Sequence, residues 1–370
     1  NESPLFGAMT FDEGELVDTL RTGQLPRRQA AQDATGIASA ALAYDLMLPA
    51  GDMREVYLAV PLGDSGALRQ ALKQESHPAM GPERLRQAEA DWTRRLAGPV
   101  FTGPPEVQRL AGILRTYLAY ILIHRDPPAF YPGSRAYARA WIRDGASIAS
   151  ALLAMGHSQE VREFITWYAG YQRPDGTIPC CVDRRGPESV PENDSHGEFI
   201  FTLAEYYRYT HDVAFLRQLW PAVMRTVGAI EALRQQRMTP EYQSGPKALF
   251  FGLMPESISH EGYAGNPVHA FWDDFWTLRG LKDAVELAEA LGDQTALDRC
   301  RALRDAFRQS LYAALERTIA TKQLAYLPGS VELGDFDANA TAVGVTIAGE
   351  AEQLPQSALR RTFDDYMDYV

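Results

Sequence analysis

From Pro104 onward, apolar residues recur at three- and four-residue spacing in one segment after another, the pattern of amphipathic helices sharing a core. It predicts helices over residues 105–124, 143–155, 158–171, 197–210, 212–236, 269–291, 294–315 and 338–349, with a last one from about 354. Boundary signals agree. Asp212 and Asp293 stand where N-caps belong, and Gly156 and Gly292 where C-caps belong. The helix from His269 carries Phe271, Phe275, Leu278, Val285 and Leu291 on one side and Trp272, Trp276, Leu281 and Ala288 on another. Two apolar sides predict an inner helix, covered by an outer layer and facing a central axis.

The connections alternate in length. Those at 155–158, 209–212 and 291–294 are abrupt, whereas those at 124–143, 172–196, 237–267 and 319–337 are long and rich in Gly, Pro, Asp and aromatic residues. Antiparallel helices joined in this way carry all their long loops on one face, and loops of that length inside a compact domain are usually functional. The segments LLAMGHSQEVREFI, YYRYTHDVAFLRQLW and AEALGDQTALDRCRAL share one plan of helix, polar turn and apolar return, which indicates a repeated helical hairpin. The fold expected over residues 101–370 is a mainly α, α/α toroid with one working face.

Residues 1–63 read differently. Partial alternation at 35–47 and 55–61, bounded by Gly, Pro and Asp, predicts strands. Two strands do not bury a sheet face alone, so the segment is expected to be the edge or remnant of a β-sandwich domain. Residues 64–100, polar and rich in Arg, Gln and Glu, read as a helical linker.

Composition removes several functions. At 370 residues and 46% hydrophobic, the chain can bury one large core and a smaller one. A net charge of -12 without a basic run argues against nucleic acid and anionic membranes as partners. No apolar run approaches the roughly 20 residues that span a bilayer. Cys180, Cys181 and Cys300 cannot build a disulfide framework and read as buried thiols. The chain opens at Asn1 without a basic-then-apolar leader, so no signal peptide is expected; the compartment stays open, with an extracytoplasmic one slightly favoured. No P-loop, G-x-G-x-x-G, Gly-x-Ser-x-Gly elbow or metal-ligand spacing occurs, so a site without metal or cofactor is expected.

Three clusters can carry chemistry. In YARAWIRDG, Arg143 and Asp144 at the start of a helix offer paired donors and acceptors to a polyhydroxylated ligand, and Trp141 offers a flat apolar face to a sugar ring. The alternative for Asp144 is a charge favoured by the helix dipole, with Arg143 its surface partner. The 172–196 loop brings Asp183, Glu192 and Asp194. In FFGLMPESISHEGY, Glu256 follows an apolar run and a proline; an apolar pocket would raise its carboxyl toward the range a general acid needs, and Glu261 competes with it.

Together WIRDG, the Q-x-x-D-G-x-I-P stretch and GLMPE followed by an aromatic-rich helix resemble the six-hairpin glycosidases of the glucoamylase-like superfamily, over about residues 101–337. That family includes glucoamylases, maltose and kojibiose phosphorylases and trehalases. The resemblance implies an (α/α)6 barrel, often preceded by a β-sandwich, and a carbohydrate partner. It implies Glu256 as general acid and the Trp141–Asp144 segment, with Trp141, Arg143 and Asp144, as the grip on the terminal sugar; Asp194, Glu261 and Trp272 are further expected substrate contacts. Pro255 stands where the family has an aromatic before the glutamate. About four and a half hairpins are legible before Val370, so the base of an inverting hydrolase is expected beyond the residues given; Asp335 and Asp337 are on the correct face but too early. Inverting hydrolysis is the expected reaction. A phosphorylase, a polysaccharide lyase or a non-catalytic carbohydrate-binding toroid are the rivals.

Overall fold

The structure, a computed structural model, describes residues 4–34, 36–56, 58, 70, 80–259, 263 and 265–370. The chain divides into two compact units, Asn1–Trp92 and Thr93–Val370. Among the described residues no helix is long and apolar enough to cross a membrane.

In the first unit, β1 (Leu5–Met9) pairs antiparallel with β2 (Ser39–Ala43), with Leu5 opposite Ala43 and Met9 opposite Ser39. A short helix, α1 (Leu16–Arg21), lies between them in sequence. β2 falls inside the segment expected to be a strand. Its partner was not legible, because LFGAM lacks polar alternation. The expected strand at 55–61 is absent where it can be read: Glu55, Val56 and Leu58 have no regular structure, and residues 57 and 59–61 lie outside the described residues. Within the expected linker, α2 runs over Met80–Arg95, while residues 64–69 and 71–79 lie outside the described residues.

The second unit is helical: α3 (Pro105–His124), α4 (Ile142–Ala154), α5 (Ser158–Ala169), α6 (Ser195–Thr210), α7 (Val213–Gln235), α8 (Phe271–Leu291), α9 (Gln294–Lys322), α10 (Ala338–Ala342) and α11 (Gln356–Tyr369). Asp212 and Asp293 cap α7 and α9 by accepting the backbone N–H groups of Phe215 and Ala296. Gly292 ends α8 in the left-handed conformation that favours glycine.

The helices form two layers. α4 packs on α6, α6 on α8, and α8 on the segment that runs on from α10, while α5, α7 and α9 pack outside this row. The expected toroidal plan of inner and outer helices therefore holds. α8 is the central inner helix, with Phe271, Phe275, Trp276, Leu278, Leu281 and Val285 all buried. It meets α6 backbone to backbone: a Cβ added to Gly280 would lie 2.6 Å from Cα of Gly197.

Two helices depart from expectation. α9 continues two turns past Leu315 to Lys322 and stops at Gln323 in left-handed geometry; the added turns bury Thr318, so packing rather than the polar pattern extends it. The segment expected as one helix at 338–349 is α-helical only to Ala342, then widens into a π turn over Val343–Ile347. Gly344 there lies against the Phe275 ring, where a Cβ would come within 2.8 Å. A small sheet of β3 (Ala140–Trp141), β4 (Cys181–Asp183) and β5 (Gly186–Pro187) ties the loop before α4 to the loop before α6, with Trp141 opposite Cys181.

Candidate functional site

The long connections converge on a cleft of about 680 Å³. Tyr137 and Trp141 come from the α3–α4 connection, Arg143 and Asp144 from the first turn of α4, and Glu192 from the α5–α6 connection. Ile258 and Ser259 come from the α7–α8 connection, Trp272 from α8, and Asn339, Val343 and Thr346 from α10 and its π turn. Trp141 is set by its pairing with Cys181 in the small sheet, and Arg139 lies over its ring at 5.3 Å.

Arg143 is the hub. One guanidinium nitrogen, Nη1, donates to Glu192 Oε2 at 2.9 Å, Asp194 Oδ2 at 2.7 Å and the Ser259 carbonyl at 2.8 Å. Trp272 donates its indole N–H to the same Asp194 oxygen at 2.9 Å. Burial alone would lower the Arg143 guanidinium, but the carboxylates of Asp194, Glu198 and Glu192 hold it above its ordinary value. Asp194 is fully buried. Glu192 is 12% exposed at its side chain, and burial with the Asp194 charge raises its carboxyl above the usual range. Asp183, by contrast, pairs with Arg139 and Arg185, and its carboxyl is lowered to about 2 by the hydrogen bonds from Arg185.

A buried acidic row lies beneath this hub, on faces of α6 and α8 that the sequence reading treated as helix framework. Glu198 is fully buried, and burial with the Asp194 charge holds its carboxyl far above the usual range. Asp273 is raised by burial and by Asp194, and accepts from Ser257 Oγ at 2.6 Å. Asp274 is pushed up to about 8 by burial, although it accepts the Met254 N–H at 3.0 Å. His196 donates from Nδ1 to the Asn193 carbonyl at 3.2 Å, and burial pushes it down to about 4. The one sequence signal was the pair Asp273-Asp274 inside an otherwise aromatic helix start, where two charges on a buried face need a reason.

Glu256 does not meet the expectation of an apolar, acid-raising pocket. Its side chain is 49% exposed and ion-paired with Arg237, whose Nε also donates to His269 Nε2 at 3.0 Å. His269 is held in turn by Glu332 through Nδ1 at 2.6 Å. Burial would raise the Glu256 carboxyl, but its own backbone N–H and Arg237 outweigh that and hold it low. Glu256 is not among the residues walling the cleft. The expectation missed Arg237, which lies 19 residues earlier in the chain and was not singled out in the sequence. Glu261 lies outside the described residues. Trp141, Arg143, Asp144, Asp194 and Trp272 do come together, four of them at the cleft wall and Asp194 directly behind it. Among the described residues no group of three or more His, Cys, Asp or Glu side chains is placed to hold a metal ion.

Residues 119–245 match the sequence family described as amylo-alpha-1,6-glucosidase. No curated protein sequence matches the chain. Among solved structures it is similar to a rhamnosidase from Klebsiella oxytoca with rhamnose bound, at 18% identity and a TM-score of 0.53, over 73% of this chain and 49% of the rhamnosidase. A glycosidase variant in complex with glucose matches at 15% identity and a TM-score of 0.48, over 67% of each chain. This chain thus spans about half the length of the rhamnosidase. The family match covers about a third of the chain, and the likeness to the rhamnosidase is one of fold.

Proposed function

We propose that the helical unit is a glycoside hydrolase that seats the terminal sugar of a glycan in the Trp141–Arg143–Trp272 cleft and cleaves its bond with inversion. The carrying observation is the Arg143 hub: a half-buried guanidinium fixed by Asp194, Glu192 and the Ser259 carbonyl, in a cleft that Trp141 and Trp272 also line. Asp144 and Glu192 offer acceptors for sugar hydroxyls, and Trp141 and Trp272 offer apolar walls. The family match supports glucose as the terminal sugar.

In this reading Glu192 protonates the leaving oxygen. It lines the cleft, and its carboxyl is held above the ordinary carboxylate range, as proton donation near neutral pH requires. A second reading keeps Glu256 as the acid. It is favoured by the Gly252–Glu256 motif and requires the Arg237 pair to open when substrate binds.

Incubation with α-linked gluco-oligosaccharides, with and without phosphate, tests the reaction. Release of glucose without phosphate is expected, with the anomer opposite to the substrate's appearing first. Phosphate-dependent release of a sugar 1-phosphate would mean a phosphorylase, and binding without product would mean a binding toroid. Glu192→Gln and Glu256→Gln then identify the acid. Loss of a general acid costs about 10²–10⁴-fold with a poor leaving group and far less with a nitrophenyl glycoside, which departs without a proton. Glu192→Gln is expected to show that selective rescue; if only Glu256→Gln shows it, the second reading stands.

A further inference from the structure

Cys180 and Cys181 are neighbours in the chain where it enters β4, and their sulfurs lie 3.4 Å apart. Both residues are buried, at 3% and 1% exposure. The chemistry of the cleft uses neither, yet both are tied to its wall. Cys181 pairs with Trp141 across the small sheet, and the Cys180 carbonyl accepts the Ile142 N–H at 3.0 Å at the entry to α4.

The two thiols are not equivalent. Donation to Cys181, burial and the Glu192 charge hold the Cys180 thiol far above its ordinary value. The same hydrogen bond, with the Arg139 charge, outweighs burial and holds Cys181 below its own. A sulfur favoured as thiolate beside a protonated partner is the arrangement in which one cysteine attacks an oxidant and the other resolves the product. Cys300 is the contrast: it is buried on α9, and burial pushes its thiol up to about 11.

Adjacent residues hold their Cα atoms about 3.8 Å apart, closer than the roughly 4.4–6.8 Å that a relaxed disulfide spans. A bond between these sulfurs therefore carries strain, and strained disulfides are the ones that are reduced readily and act as switches. Forming it draws the sulfurs from 3.4 Å to about 2.05 Å. That turns the backbone at 180–181 and pulls on the carbonyl that Ile142 holds.

We propose that Cys180 and Cys181 are a redox-modification site where hydrogen peroxide forms a reversible disulfide, and that this bond slackens the strand that sets Trp141 at the cleft. The Cys181 thiolate attacks one peroxide oxygen and is oxidised to a sulfenic acid. The O–O bond breaks, and the leaving oxygen takes a proton and departs as water. The Cys180 sulfur then attacks Cys181, the S–S bond forms, and the sulfenic hydroxyl leaves as a second water with the Cys180 proton. Two thiols and one peroxide thus give one disulfide and two waters. Peroxide is little larger than water, and Glu192, whose carboxylate the Cys180 thiol reaches, lines the cleft and opens a path from that side. The proposal needs neither a sugar nor hydrolysis.

Hydrogen peroxide added to the full chain, followed by peptide mass spectrometry and hydrogen exchange, tests it. The peptide holding both cysteines is expected to lose the mass of two hydrogen atoms and to regain it with dithiothreitol, while Cys300 stays a thiol. The Ile142 amide is expected to exchange roughly tenfold faster in the oxidised protein. Cys180→Ser is expected to stop at the sulfenic acid, trapped by dimedone, and Cys181→Ser to react roughly tenfold more slowly than wild type. Oxygen addition to the wild type without a disulfide, oxidation of Cys300 at the rate of the pair, or a Cys181→Ser variant as reactive as wild type overturns the proposal. An Ile142 exchange rate unchanged by oxidation overturns the link to the cleft.

Discussion

The Trp272 indole N–H and Arg143 Nη1 share a single acceptor, Oδ2 of Asp194, at 2.9 and 2.7 Å. Three elements far apart in sequence are thereby fixed to one buried oxygen: the starts of α4 and α8, and the residue preceding α6. The cleft walls depend on that atom for their spacing.

Asp194→Asn keeps the volume and removes the charge. Breaking a fully buried ion pair by removing one partner typically costs about 3–5 kcal/mol; Arg143 is only half-buried and still donates to Glu192 and the Ser259 carbonyl, so a loss at or below the lower end is expected in the chemical unfolding free energy. Trp272→Phe deletes the donor and trims the indole to a single ring; the hydrogen bond alone is worth about 1 kcal/mol. Because both changes act on one oxygen, the double variant is expected to lose less than the sum. Strict additivity in unfolding titrations would show that the shared acceptor is not the link.

Rate against pH follows from Glu192. In the proposed role of proton donor it must be protonated, so kcat/KM is expected to fall as pH rises through its elevated pKa. The Asp194 charge contributes to that elevation. Asp194→Asn is therefore expected to move the alkaline limb to lower pH, and a limb that stays put or moves up contradicts the role given to Glu192.

Asp274 gives a stability signature of its own. Its folded pKa of about 8 is far above that of an exposed aspartate, so between about pH 4 and pH 8 the native state binds a proton that the unfolded chain has released. Its contribution is present in full below about pH 4 and is lost as pH rises to about 8. His196 acts oppositely over a narrower range: its folded pKa of about 4 makes stability rise from pH 4 to about 6.5. Asp274→Asn, whose amide oxygen can still accept from Met254, is expected to flatten the decline in stability between pH 6.5 and 8. Urea unfolding at pH 6.5, 7.25 and 8 measures it, and an unchanged slope would show that Asp274 is ionised in the fold.

The crossing of α6 and α8 tolerates no side chain. Gly280→Ala would drive a methyl to 2.6 Å from Gly197 Cα, and Gly197→Ala one to 2.0 Å from the Trp276 carbonyl oxygen. Overpacking of side chains costs about 1–3 kcal/mol, and a backbone obstacle yields less readily. Each substitution is expected to lower the thermal midpoint by more than a surface control such as Gly112→Ala, where a Cβ meets nothing within 4 Å.

Much of this molecule is local in origin and could be read from the chain alone. The 3.6-residue period and the capping residues Asp212, Asp293 and Gly292 act within one or two turns, so α3, α7 and α8 begin and end within two residues of where the pattern puts them. The rhythm of short and long connections set the inner–outer plan and the single face on which Trp141, Arg143, Asp144 and Trp272 meet. Proximity between α6 and α8, by contrast, is a property of the packed toroid. Only there do Glu198, Asp273, Asp274 and His196 leave water and exchange their ordinary titration for one set by burial. Only there does Arg237 reach Glu256 and hold its carboxyl low, so that the glutamate singled out by its neighbours in sequence is answered by a charge those neighbours do not contain. Periodicity and capping are short-range and written in order along the chain; desolvation and charge pairing are sums over whatever the fold brings near, and tertiary structure alone decides them.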